Sequence, residues 1–82
     1  MRMLNADSSQ SVRILQLYLT VSEAKELAKG LGKLLKDPEA KEHIHVFAED
    51  MSRELSFSIV TPEKMKNIHG YTKLEQDILK EK

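Results

Sequence analysis

The chain has no cysteine and no tryptophan, only two prolines, three glycines, two tyrosines and two phenylalanines, and no net charge across its 82 residues. Without cysteine there are no disulfides, no thiolate metal sites and no cysteine nucleophile, so stability must come from packing. Thirteen Lys and Arg are matched by thirteen Asp and Glu. That balance removes the basic excess of a domain held by nucleic-acid phosphates or by an anionic membrane. No apolar run approaches the ~18 residues of a membrane span, and Met1 to Gln10 lacks the apolar stretch of a secretory signal. The expected location is the cytoplasm. With Tyr18, Phe47, Phe57 and Tyr71 as the whole aromatic set, a base-stacking platform for RNA is not expected.

What is present is ordinary globular material, 40% hydrophobic and 32% charged, too apolar and too balanced for a disordered tail. The length suits one domain, which buries roughly 60 to 65% of its unfolded surface and so gains from recruiting a second chain. Met1 to Ser11 is polar and unpatterned, and reads as a flexible N-terminal segment; residues 12–82 read as a single α+β domain.

Val12 to Val21 alternates, with Val12, Ile14, Gln16, Tyr18 and Thr20 against Arg13, Leu15, Leu17, Leu19 and Val21. Its β-branched and aromatic content predicts a strand with apolar side chains on both faces. Thr20 followed by Glu23 is a capping-box pair that opens a helix. Ala24, Leu27, Ala28, Leu31, Leu34 and Leu35 then recur at spacings of three and four, opposite Lys25, Glu26, Lys29, Lys33 and Lys36. Gly30 and Gly32 each cost this helix about 1 kcal/mol relative to alanine, which predicts a close approach or a loosening there. Asp37-Pro38 ends it.

His43–Glu49 and Arg53–Thr61 alternate again and predict a hairpin, with residue 46 opposite 57, 48 opposite 55 and Asp50 opposite Arg53. Met51-Ser52 is not a tight-turn pair, so a longer or bulged loop is compatible. Thr61-Pro62-Glu63 predicts a short helical turn through about Asn67, ended by His69-Gly70. A second capping box, Thr72 with Glu75, predicts a last helix fraying toward Lys80–Lys82.

The order strand, helix, strand, strand, short helix, helix predicts a small two-layer β-α-β-β-α sandwich. Its sheet is three-stranded and mixed, packed on one long helix with a short C-terminal helix.

Three motifs suggest chemistry. Lys29-Gly-Leu-Gly-Lys33 has phosphate-loop composition, but it lies inside an already capped helix instead of at a helix start. His43 and His45 share one strand face, the spacing by which two imidazoles reach one metal ion. The remaining ligands would have to come from Glu49, Glu54 or His69. In the expected register His45 lies opposite Ser58, yet no strained nucleophile turn or cleft accompanies the pair. The chain reads as non-enzymatic and without a cofactor.

The strongest signal is surface. A helix of sixteen residues, about 24 Å by 10 Å, covers one face of a sheet whose other face carries Val12, Ile14, Tyr18, Phe47 and Val60. Such a face predicts association, most simply as a homodimer, or docking on a protein partner. The expected function is a small accessory or regulatory protein-interaction domain that binds neither nucleic acid nor membrane. The alternative is a metal or small-ligand domain built on His43 and His45.

Overall fold

The computed structural model describes residues 1–81. It is a small α+β structure with three α-helices and two separate two-stranded antiparallel sheets. The described chain divides into two compact units, one formed by Tyr18–Pro62 and the other by Met1–Leu17 with the chain from Glu63 onward.

The Tyr18–Pro62 unit is a helix on a hairpin. Helix α1 (Val21–Lys36) starts where the sequence predicts. Thr20 Oγ1 accepts from the Glu23 amide at 3.1 Å and Glu23 Oε1 accepts from the Thr20 amide at 2.9 Å, closing the capping box. Strands β3 (Ile44–Phe47) and β4 (Glu54–Phe57) form the expected hairpin. Its register is displaced from expectation by two residues, with Val46 opposite Leu55 and Ile44 opposite Phe57.

The cause of that displacement is the connection. The Ala48 amide donates to the Arg53 carbonyl at 2.9 Å and the Met51 amide to the Ala48 carbonyl at 2.8 Å. Asp50 Oδ1 takes the Ser52 amide at 3.0 Å and its hydroxyl at 2.6 Å, while Met51 adopts φ 63°. The loop is therefore longer than a two-residue turn. Because the shift is even, every side chain stays on its expected face.

Between α1 and the hairpin lie Leu34 of the helix and Val46 of β3, both buried, with Ile44, Leu55 and Phe57 half-buried. Gly30 is where the layers meet. A Cβ at this position would lie 2.5 Å from Ile44 Cγ2 and 3.0 Å from Phe57 Cζ. Nothing comes within 4 Å of the same point on Gly32, so only the first glycine is required by packing.

Two expectations fail here. Residues 12–20 contain no strand, so the three-stranded mixed sheet is not formed. A strand must spend its backbone donors and acceptors on a neighbour, and here β3 and β4 pair with each other alone. The apolar face of α1 is also only half covered. Leu34 and Gly30 are buried and Leu27 is half-buried, but Ala24, Ala28, Leu31 and Leu35 are exposed. Two strands are too narrow to underlie the whole face of a helix.

The other unit opens with a short ladder that has no alternation to announce it: β1 (Leu4–Asn5) against β2 (Gln10–Ser11). Asn5 Oδ1 accepts from the Asp7 and Ser8 amides, and Ser9 turns the chain at φ 59°. Helix α2 (Pro62–Lys66) begins with proline in its first position, as expected, and a 3-10 turn comes next over Ile68–Gly70. Helix α3 (Lys73–Leu79) carries the second capping box on Thr72 and Glu75 and buries Ile78 and Leu79. Arg2 Nε donates to the Glu81 carbonyl, and the Ser11 hydroxyl to Glu81 Oε1 at 2.7 Å. Lys82, the end of the expected fraying, lies outside the described residues.

Candidate functional site

Three places merit a chemical reading. The first is the hairpin face turned away from α1. His45 and Phe47, two apart on β3, stack with ring centroids 6.3 Å apart and planes 17° from parallel. His45 Nδ1 lies 2.6 Å from Glu54 Oε1, across the ladder and two residues along it from its own partner Ser56. Of the possible further ligands Glu49, Glu54 and His69, Glu54 therefore stands beside the histidine. His45 faces Ser56 instead of Ser58, so the expected imidazole–hydroxyl pairing at Ser58 is not made. Among the described residues, no group of three or more His, Cys, Asp or Glu side chains is placed to hold one metal ion.

The second place is the start of α1. Glu23 spends both carboxylate oxygens, Oε1 on the Thr20 amide and Oε2 on the Glu49 amide at 3.1 Å. The Thr20 hydroxyl in turn reaches Glu49 Oε1 at 3.3 Å. The Thr20 and Glu49 amides hold the Glu23 carboxyl below the ordinary value of 4.5. Asp50 is likewise lowered from 3.8 by the Ser52 hydroxyl and amide. These groups tie the helix start to the hairpin loop, and the chemistry they perform is structural. The glycine-containing Lys29–Lys33 stretch lies wholly within α1, where its amides belong to the helix interior and cradle nothing.

The third place is the apolar surface. Ile14 and Tyr18 are 85% and 87% exposed. Leu15, Leu17 and Leu19 are also exposed, although the expected architecture sets them beneath α1. Val12 is half-buried and its amide donates to the Met3 carbonyl. Phe47 is exposed on β3, and Val60 is half-buried beyond the end of β4. With no strand over residues 12–20, the five predicted interface residues are not aligned on one sheet face. The backbone of residues 13–19 makes no hydrogen bond with any other described residue.

Sequence reasoning missed the stripe Val21, Ala24, Ala28, Leu31 and Leu35, all exposed along one side of α1. Its spacing of three and four was visible; the narrowness of the hairpin beneath it was not. An open recess of about 740 Å³ beside Arg2, Ser11, Arg13 and Glu81 gathers no reactive set. No helix is long and apolar enough to cross a membrane among the described residues. Comparison with known protein families, curated proteins and solved structures found no match.

Proposed function

We propose that the chain is a small, non-enzymatic protein-interaction domain, accessory or regulatory in role, that self-associates through the segment carrying Val12, Ile14 and Tyr18. One observation carries this reading. Residues 13–19 combine strand-like alternation, exposed apolar side chains and a backbone with all its donors and acceptors unspent. A segment in that state gains both hydrogen bonds and apolar burial by adding to the edge of a sheet.

In the associated form the segment extends and supplies the third strand of a mixed sheet. Alternation then returns Val12, Ile14 and Tyr18 to one face together with Phe47 and Val60, while Leu15, Leu17 and Leu19 take the other. A metal or small-ligand role for His43 and His45 has less support, because Glu54 already occupies the ring nitrogen of His45 that faces it.

Sedimentation equilibrium tests the reading. Wild type is expected to be a dimer and Ile14→Glu a monomer. A wild type that stays monomeric at every accessible concentration, or an Ile14→Glu variant that dimerises equally well, overturns it.

A further inference from the structure

The uncovered side of α1 belongs to one particular edge of the hairpin. The helix runs antiparallel to β3, since Glu23 in its first turn takes the Glu49 amide beyond the end of that strand and Gly30 lies against Ile44 at its start. The Ala48 amide bonds the Arg53 carbonyl, so the hydrogen-bonded pairs of the ladder are Ala48 with Arg53, Val46 with Leu55 and Ile44 with Phe57. These helix-facing residues spend their backbone groups inside the hairpin. Glu54 and Ser56 turn theirs to the outer edge of β4, and His45 and Phe47 to that of β3. For L-residues, this pattern sets β4 to the left of β3 when the hairpin is viewed from the helix with α1 running upward.

Helix α1 packs chiefly on β3 and turns Glu23, Leu27, Gly30 and Leu34 toward the hairpin. In a right-handed helix the next row, Val21, Ala24, Ala28, Leu31 and Leu35, then points left, over β4. That row is exposed throughout, Val21 at 74% and Leu35 at 66%. The flank opposite carries Lys33, whose Nζ lies 3.9 Å from Glu42 just ahead of β3, in accord with this placement. No strand pairs with the outer edge of β4 among the described residues. The result is an apolar step on the β4 side. Its wall is the uncovered row, its floor is the half-buried Leu55 and Phe57, and its rim is the outward backbone of Glu54 and Ser56.

We propose that this step is the docking site for residues 12–19 of a second copy of the chain, laid parallel to β4. The inference rests on the self-association reading and names the receptor surface for it. Eight extended residues span about 26 Å, against about 24 Å for a sixteen-residue helix. Leu15, Leu17 and Leu19 then face the wall, where Ala24 and Ala28 leave room for leucine side chains. Charge sets the direction. Arg13 shares the leucine face, and the parallel run brings it to the end of the step where Glu23, Glu49 and Asp50 gather; the reverse run brings it toward Lys33 and Lys36. Topology selects a second copy. Residues 12–19 of the same chain lead into the start of α1, so beside β4 they can only run antiparallel to it, and only through a left-handed crossover.

Two reciprocal sites, each roughly 24 Å by 10 Å on both of its surfaces, cover on the order of 1,000 Å², the floor for a specific interface. The dimer is accordingly concentration-dependent, and reciprocal exchange closes it with two-fold symmetry.

Proline at an outward position blocks one edge and leaves the ladder between β3 and β4 intact. Ser56→Pro is expected to raise the dimer dissociation constant at least tenfold in sedimentation equilibrium, and His45→Pro, its counterpart on the β3 edge, to leave it within twofold. Leu31→Asp charges the wall without touching Leu34 or either strand; it is expected to keep its helical circular dichroism, weaken the dimer at least tenfold, and decide the matter if a proline variant fails to fold. A dimer that Ser56→Pro and Leu31→Asp leave unchanged, or one that His45→Pro alone dissolves, overturns the site while self-association stands. A monomeric wild type overturns both. The absence of native cysteine permits a further check, oxidation of the Gln16→Cys/Ser56→Cys double variant. Disulfide-linked dimers support a second copy as the occupant, and a disulfide closed within one chain overturns it.

Discussion

His43–Phe47 and Val12–Leu19 are similar as patterns: both alternate, and both are rich in β-branched or aromatic residues. Only the first contains a strand. The difference lies in the next stretch of chain. Behind β3 comes a loop short enough to bring β4 alongside, so its hydrogen bonds close locally and α1 covers the product. Behind Val12–Leu19 comes a capped helix, and a parallel neighbour must be reached across a crossover. Alternation nominates a strand; a partner for the backbone decides it.

The contrast can be broken at its largest expected effect by charging each segment in turn. Val46→Asp puts an unpaired carboxylate in a buried position under α1 and is expected to cost about 3–5 kcal/mol, enough to unfold much of a domain this small. Ile14→Asp, measured by denaturant unfolding of dilute protein, is expected to change stability by less than about 0.5 kcal/mol. Equal losses in the two would mean that the amino-terminal segment is part of a folded subunit's core.

The helix above the hairpin offers a sharper version. Leu34→Ala is expected to cost about 2–5 kcal/mol and Leu35→Ala well under 1 kcal/mol, since neighbouring leucines lie on the covered and uncovered rows. The two glycines divide the same way. Gly30→Ala must displace Ile44 and Phe57 and is expected to destabilise by about 1–3 kcal/mol in chemical denaturation. Gly32→Ala meets open space and is expected to stabilise by about 0.5–1 kcal/mol.

The sequence carried the helices better than the sheet, for a physical reason. Thr20 with Glu23 and Thr72 with Glu75 are local signals read within one turn, and both boxes close as expected. The hairpin was legible from alternation, but its register depends on Met51 at positive φ and on Asp50 capping Ser52, neither of which alternation encodes. The Glu54 carboxylate beside His45 became visible only once that register was known. The apolar repeat of α1 was legible too. How much of it two strands could cover was a question of sheet width, which no residue pattern within the helix answers.

A smaller effect concerns pH. Glu23 and Asp50 are held below their ordinary values in the folded chain by hydrogen bonds to their ionised forms. Depressed carboxyls contribute stability that is present above their unfolded values, 4.5 and 3.8, and is lost as pH falls through the folded ones. Melting temperature is therefore expected to decline on acidification below about pH 4.5. That decline should flatten in Glu23→Gln, which also weakens the link between helix start and hairpin loop at neutral pH. A variant with an unchanged acid limb would assign the decline to other groups.

Amide hydrogen exchange of residues 13–19, followed as a function of protein concentration, addresses the unpaired segment most directly. These amides are expected to exchange at close to open-chain rates in dilute solution and to become protected together as concentration rises, in step with dimer formation. Strong protection that is already complete at the lowest concentration, or exchange that stays fast in a demonstrable dimer, would contradict the proposal that this stretch is a strand completed by a second copy.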